Sequence, residues 1–206
     1  MFLKKKIFFI SFFILSLSLL FFYKFNNKEG YSQIGGDFEL TNHLGKKITT
    51  KSFNGYYRLV FFGFTNCPDF CPDTLNKISF VMDEIDNKNK LVPIFITVDP
   101  ERDDVENLKK YLSNFDPKII GLTGTNEQIN SIKKNYKIFS KKIMDMEENK
   151  EHDHDGHNHG HGGYAVDHTT IIYLMDKKGN YISHFSPDIS NSDMQNLLAE
   201  AEMECF

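Results

Sequence analysis

The chain has 206 residues, 25% of them charged, and a formal net charge of −4 at pH 7. That length accommodates one soluble domain of ordinary size beside a short targeting segment. The negative net charge and the lack of a long basic run in the domain argue against nucleic acid as a partner. The chain carries 3 cysteines, which cannot all pair internally, so one thiol is left over.

The amino terminus predicts a membrane anchor. Lys4, Lys5 and Lys6 precede residues 7–23, a run made mostly of Phe, Ile, Leu and Ser without charge, Gly or Pro. The run has about the minimum length for a membrane span, and neither a small-residue cleavage site nor a lipid-accepting cysteine follows it. We therefore predict an uncleaved transmembrane helix over 7–23 rather than a removed signal peptide, with residues 1–6 in the cytoplasm and the rest exported. Because this start lacks the Arg of a mitochondrial presequence, we expect a bacterial inner membrane and a periplasmic domain.

A polar linker over 24–33 leads to a predicted domain over 34–206, in which strands and helices alternate. Apolar runs predict strands at 38–40, 47–49, 57–64, 91–98, 119–122, 170–176 and 181–185. Helical periodicity predicts helices at 73–85, 104–115 and 126–136, and a capping-box pattern at 192–195 predicts the start of a last helix. This order predicts an α/β domain with a mixed sheet covered by helices.

Two cysteines, Cys67 and Cys71, stand four residues apart where the strand at 57–64 gives way to the helix at 73–85. The dipole and the unpaired N–H groups of a helix start stabilise a thiolate, the form of cysteine that binds metals and attacks disulfides. Two sulfurs at this spacing can close a disulfide or bind one soft metal ion. Cys205 is the thiol left over, either without a role or in an intermolecular disulfide.

A histidine-rich stretch occupies residues 147–163. Its acids, Gly, Asn and histidines cannot build a core, so we predict a loop insertion. Neutral imidazoles can bind Cu(II), Zn(II) or Ni(II) weakly. The stretch is therefore either an auxiliary metal-collecting loop or a solvated low-complexity insertion, and its candidate ligands are His152, His154, His157, His159 and His161.

Four sequence blocks follow one another along the domain: IGGDFELT at 34–41, FGFTNCPDFCPD at 62–73, VDPERD at 98–103 and VDHT at 166–169. Together they resemble the Sco/SenC family of membrane-anchored copper chaperones, over about residues 34–185. The resemblance implies a thioredoxin-like fold, copper as the bound metal, and Cys67, Cys71 and His168 as its ligands. The histidine-rich stretch departs from the usual pattern of that family.

Two thiolates and one imidazole make a soft three-coordinate site suited to Cu(I), and they leave a position open for Cu(II) or for transfer to a partner. In the thioredoxin-like arrangement, His168 takes the place of a proline that faces the cysteines. Asp99 and Asp167 are candidates for residues that support the ligands, or for a fourth ligand; alternatively they are ordinary loop carboxylates.

The resemblance implies a chaperone that delivers copper to, or maintains, the binuclear copper site of cytochrome c oxidase subunit II. Another copper chaperone or a thiol reductant is the second partner that we expect. Alternatively, Cys67 and Cys71 serve a thiol-disulfide oxidoreductase acting on that subunit or on other exported proteins, which does not require His168. The two functions can coexist, because the thiols must be reduced to bind Cu(I). A peroxidase of the peroxiredoxin type is disfavoured, because Pro68 stands where such an active site has Thr.

Overall fold

The computed structural model describes residues 34–85, 90–144 and 164–203, together with position 18. The predicted anchor, the linker over 24–33, the histidine-rich stretch and Cys205 lie outside the described residues. Within the described ranges, no helix combines the length and the apolar character needed to cross a membrane. The described residues from Ile34 onward belong to one compact unit.

This part of the chain contains nine strands: β1 (Glu39–Asn42), β2 (Lys47–Thr49), β3 (Tyr57–Gly63), β4 (Leu91–Thr97), β5 (Ile120–Thr123), β6 (Ser140–Met144), β7 (Tyr164–His168), β8 (Ile172–Met175) and β9 (Tyr181–Phe185). Seven of them form a sheet in the order β2-β1-β5-β4-β3-β8-β9. The β3–β4 and β4–β5 pairs are parallel and the other pairs are antiparallel. The predicted mixed α/β sheet is therefore confirmed.

The helices of the described residues are α1 (Phe70–Glu84), α2 (Val105–Leu112), α3 (Asn126–Asn135) and α4 (Asn191–Met203), with a short 3-10 helix at Thr50–Phe53. Side chains cap the starts of α2 and α3: the backbone N–H of Asn107 donates to the Asp104 carboxylate over 2.8 Å at α2, and Thr125 forms a capping box at α3. The prediction of a cap at Ser192 for α4 is wrong. The hydroxyl of Ser190 accepts from the backbone N–H of Asp193 instead, so this helix begins earlier.

β3 lies at the centre of the core. Its seven residues are all buried, as are the four residues of β8, because helices and neighbouring strands leave neither strand a solvent face. α1 packs against this sheet through Leu75, Ile78 and Val81. The parallel register pairs Gly63 with Thr97, so β3 and β4 end at the same edge of the sheet. The segments that follow them, at 64–73 and 98–103, consequently meet there.

β6 and β7 form a separate two-stranded hairpin that the sequence analysis did not predict. Their antiparallel register runs from Ser140 opposite His168 to Met144 opposite Tyr164. The strand expected at 170–176 correspondingly begins later, at Ile172. His168 is thus the last residue of a strand rather than part of a loop, and the chain between the two strands contains the histidine-rich stretch.

Candidate metal centre

Cys67, Cys71 and His168 meet in space. One ligand atom from each lies within 4.8 Å of the other two, and the Sγ of Cys71 is 3.8 Å from the Nε2 of His168. Among the described residues, no other group of three or more histidine, cysteine or carboxylate side chains converges in this way. The structure therefore brings together the three residues that the sequence predicts as ligands, although His168 is 97 positions from Cys71.

The turn from β3 into α1 determines where each sulfur lies. The backbone N–H of Cys67 donates to the carbonyl of Phe64 over 3.2 Å, which folds the turn back on itself. α1 then begins at Phe70, so Cys71 lies in its first turn. Cys71 has no exposed surface, whereas Cys67 is partly exposed. Solvent and partners therefore reach the pair from the side of Cys67.

Gly63 allows Cys71 to approach the end of β3. A Cβ atom at this position would lie 2.7 Å from the Sγ of Cys71 and 2.7 Å from a ring carbon of Phe95. Both distances are too short for non-bonded atoms. The glycine is thus required by a close approach, which its place in the FGFTNCPDFCPD block does not reveal.

The two thiols have opposite protonation tendencies. Both are free, and a hydrogen bond from Cys71, helped by backbone N–H groups, lowers the pKa of Cys67 to about 5. That same hydrogen bond, together with burial, raises the pKa of Cys71 above its ordinary value. Near neutral pH the pair therefore holds one thiolate, at Cys67, and one proton, at Cys71.

The imidazole of His168 presents Nε2 to the sulfurs. Its Nδ1 lies 3.1 Å from the carbonyl oxygen of Thr169. A carbonyl can only accept, so we assign the ring proton to Nδ1, which leaves the Nε2 lone pair available to a metal. The ring of Phe64 meets the imidazole edge-on, with centroids 5.6 Å apart, and holds its plane. The donor set is thus a thiolate, a thiol that can lose its proton, and an imidazole.

The two predicted carboxylates take different positions. Asp99 is fully buried and accepts a hydrogen bond from the hydroxyl of Tyr164 over 2.6 Å, while Arg102 forms an ion pair with its other oxygen. Asp167 is exposed in β7, opposite Lys141. Neither belongs to the group of converging ligand atoms. Asp99 therefore contacts the strand that carries His168, whereas Asp167 faces solvent.

Sequence reasoning missed three residues around this centre: Gly63, Asp103 and Tyr164. Asp103 lies in the VDPERD block, so the sequence motif includes the residue but does not show which groups it contacts. Tyr164 follows the histidine-rich stretch, where no periodicity indicates a strand. Its contact with Asp99 spans 65 positions, which no local pattern can predict.

The parallel core strands, the cysteine pair at a strand-to-helix turn and the facing imidazole define a thioredoxin-like domain with a candidate thiolate–imidazole metal site. The family model of SCO1/SenC matches residues 26–201. The chain belongs to this family. The resemblance found in its four sequence blocks is thereby confirmed.

Relatives and solved structures agree with this assignment. The SCO2-like protein RP587 of Rickettsia prowazekii is 40% identical over 175 residues, covering 84% of this chain and 80% of that protein. The crystal structure of Arabidopsis thaliana ScoI with copper bound has a TM-score of 0.71 at 34% identity, over 84% of this chain and 99% of that one. The structure of Bradyrhizobium japonicum ScoI with copper bound has a TM-score of 0.69 at 38% identity, over 81% of this chain and 98% of that one. This chain spans about half the length of the budding yeast, human and Arabidopsis proteins that it matches.

Proposed function

We propose that this chain is a copper chaperone that binds one copper ion through Cys67, Cys71 and His168. It delivers that ion to, or maintains, the binuclear copper site of cytochrome c oxidase subunit II. The observation that carries the proposal is the convergence of two sulfurs and an imidazole nitrogen within 4.8 Å of one another. The copper bound in two structures of the same family supports copper as the cargo.

The donor set suits Cu(I), because thiolates are soft ligands and imidazole accepts copper readily. Cys67 is already a thiolate near neutral pH, whereas Cys71 must lose its proton before it can coordinate. Copper binding should therefore release about one proton per ion. Because Cys67 is the partly exposed sulfur, a partner's ligand can reach the ion from that side.

The proposed location follows from the sequence. Residues 7–23 anchor the chain in the inner membrane of a bacterium, residues 24–33 link the anchor to the domain, and the domain faces the periplasm. Protease added to spheroplasts should therefore digest the domain, while intact cells protect it. Protection in spheroplasts would place the domain in the cytoplasm and contradict the proposal.

The decisive experiment measures copper stoichiometry and X-ray absorption on the anaerobically reduced chain with the five histidines of the 147–163 stretch replaced by glutamine. We expect one copper per chain with two sulfur ligands and about one nitrogen ligand. His168→Ala should remove the nitrogen and weaken binding, whereas the matched control His184→Ala, an exposed position in β9, should change neither. Wild-type affinity in His168→Ala would refute the assigned ligand.

A thiol-disulfide oxidoreductase is the second candidate, and the asymmetry of the cysteine pair supports it. The Cys67 thiolate attacks a partner disulfide, forms a mixed disulfide and releases one partner thiolate. Cys71 then gives up its proton and attacks the Sγ of Cys67, which closes the internal disulfide and releases the second partner thiol. A thiol reductant must restore the pair. This activity should survive His168→Ala, so a chain that cycles its disulfide but takes up no stoichiometric copper would be an oxidoreductase.

We also propose that the histidine-rich stretch collects copper for the main site. Replacing its histidines should slow copper acquisition when the metal is limiting, because fewer weak ligands then capture the ion. Affinity at saturation should not change. Unchanged loading kinetics would leave the stretch as a solvated insertion.

A further inference from the structure

The VDPERD block, residues 98–103, follows β4 and lies between the two segments that carry the metal ligands. Its last residue, Asp103, is fully buried. The Asp103 carboxylate accepts hydrogen bonds from the backbone N–H and the hydroxyl of Thr65, over 3.0 and 2.6 Å, and from the hydroxyl of Thr97 over 2.6 Å. Thr65 stands two residues before Cys67. One carboxylate therefore fixes the start of the cysteine turn against the end of β4.

The first acid of the block, Asp99, makes equivalent contacts with the hairpin. One of its oxygens accepts from the Tyr164 hydroxyl over 2.6 Å, and the other forms the ion pair with Arg102. Arg102 in turn donates to the backbone carbonyl of Tyr164 over 3.0 Å, and its guanidinium lies 3.9 Å from the centroid of the Tyr164 ring. Tyr164 is thus held by its hydroxyl, its carbonyl and its ring. It begins β7, the strand that ends at His168.

The other strand of the hairpin is held by the same block. The Nζ of Lys142 in β6 lies 2.6 Å from a carboxylate oxygen of Glu101 and 4.5 Å from the Tyr164 ring centroid. Arg102 also lies 5.7 Å from the ring of Phe64, the residue that packs edge-on against His168. Both strands and the packing partner of the imidazole therefore contact residues 99–102.

Stability alone does not account for this cluster. Burying the Asp99 carboxylate is costly unless it is fully paired, and an apolar contact of similar volume would stabilise a hairpin at least as well. A buried ionic group instead imposes one geometry, because its hydrogen bonds are directional.

We propose that residues 99–103 act as a brace that sets the position of the His168 imidazole relative to the two sulfurs. Asp103 holds the cysteine turn through Thr65, and Asp99 with Arg102 holds the hairpin through Tyr164. This proposal rests on the copper site proposed above. Thr65 and Tyr164 are positioning residues, since neither belongs to the converging ligand atoms.

Tyr164→Phe tests the hairpin side of the brace in the full chain, because it removes one hydroxyl and keeps the ring. Copper(I) affinity, measured by competition with a chelator, should fall about tenfold, as for other residues that orient metal ligands. In the copper-free chain, the backbone amides of β6 and β7 should exchange with solvent faster. The matched control is Tyr173→Phe, which removes a buried hydroxyl that donates to the carbonyl of Tyr136 over 2.8 Å. It should leave copper affinity and hairpin exchange unchanged.

A double-mutant comparison shows whether Tyr164 acts through the imidazole. In a His168→Ala background, Tyr164→Phe should cause no further loss of copper affinity, because the residue being positioned is absent. Equal losses in both backgrounds would overturn the proposal, and so would wild-type affinity in Tyr164→Phe.

Thr65 gives the corresponding test of the cysteine side. Thr65→Val removes the hydroxyl that donates to Asp103 and should weaken copper binding about tenfold. Thr65→Ser keeps that hydroxyl and should therefore retain the copper affinity of the unsubstituted chain. Equal affinity in the two variants would overturn this half of the proposal. A wild-type chain that takes up no stoichiometric copper would instead refute the proposed function. The brace would then be judged by hydrogen exchange in Tyr164→Phe, where unchanged hairpin exchange would overturn it.

Discussion

Replacing Gly63 by alanine tests whether the copper site depends on the close approach between β3 and Cys71. The added Cβ would lie 2.7 Å from the Sγ of Cys71, whereas non-bonded heavy atoms sit roughly 3.5–4.0 Å apart. The sulfur must therefore move by roughly 1 Å. The new methyl group cannot relieve this clash by moving away from the sulfur, because a ring carbon of Phe95 is also 2.7 Å from it.

Two measurable losses follow from this displacement. Overpacking of this kind lowers the free energy of unfolding by about 1–3 kcal/mol, which denaturant titration of the copper-free chain would measure. Moving one ligand by roughly 1 Å should weaken copper(I) binding by roughly tenfold to a hundredfold, measured by chelator competition. The pKa of Cys67 should also rise, because the hydrogen bond from Cys71 is the main cause of its low value.

Gly121→Ala is the matched control. It also places a methyl group on a buried strand glycine, in β5, where the new Cβ would collide with the side chain of Leu112. It should destabilise the fold, yet it leaves the sulfurs where they are, so copper affinity should not change. Normal copper affinity and a normal Cys67 pKa in a folded Gly63→Ala variant would show that the close approach does not position Cys71.

Three further predictions concern the thiol pair and the scaffold. The rate of alkylation of Cys67 should follow a pKa of about 5 rather than 9.0, and Cys71→Ala should raise this pKa. Because folding lowers the pKa of Cys67, the thiolate's contribution to stability is fully present above about pH 9 and is lost as the pH falls through 5. Relative to the unsubstituted chain, a Cys67→Ser variant should therefore lose least stability in acid. Ile78→Ala, at a position 1% exposed in α1, should cost about 2–5 kcal/mol in denaturant unfolding and leave copper stoichiometry unchanged. Thr125→Ala removes the capping box of α3 and should cost about 1 kcal/mol without affecting copper binding; an effect on affinity would show that α3 is coupled to the centre.

Local patterns predicted the parts of the fold that carry strong local signals. β3 is a continuous apolar run, and α1 repeats apolar residues at helical spacing, so both were evident together with the cysteine pair between them. Their parallel neighbour β4 was equally apolar. The meeting of the cysteine turn with the VDPERD block then follows from the parallel register, which places both at one edge of the sheet.

The hairpin could not be predicted in the same way. β6 includes Lys141 and Lys142 on exposed positions, and none of the described side chains of β7 is fully buried, so neither strand shows a clear apolar alternation. Residues 145–163 separate them, which excludes the short-turn signals that identify most hairpins. β7, which ends at His168, contacts Asp99 and Arg102 through Tyr164, at sequence separations that only the folded chain brings together.

The hairpin of β6 and β7 bears on where residues can be inserted into this chain or deleted from it. Its register is fixed from the Ser140–His168 pair to the Met144–Tyr164 pair, and residues 99–102 hold both strands from outside. With both strands held in this way, a longer or shorter flexible connection from Met144 to Tyr164 would change the entropy of loop closure by about 0.6 kcal/mol for each doubling of length. Evolution can therefore add or delete residues at this point at little thermodynamic cost. For the same reason, this connection is a suitable place to insert a fluorescent reporter domain beside the metal centre.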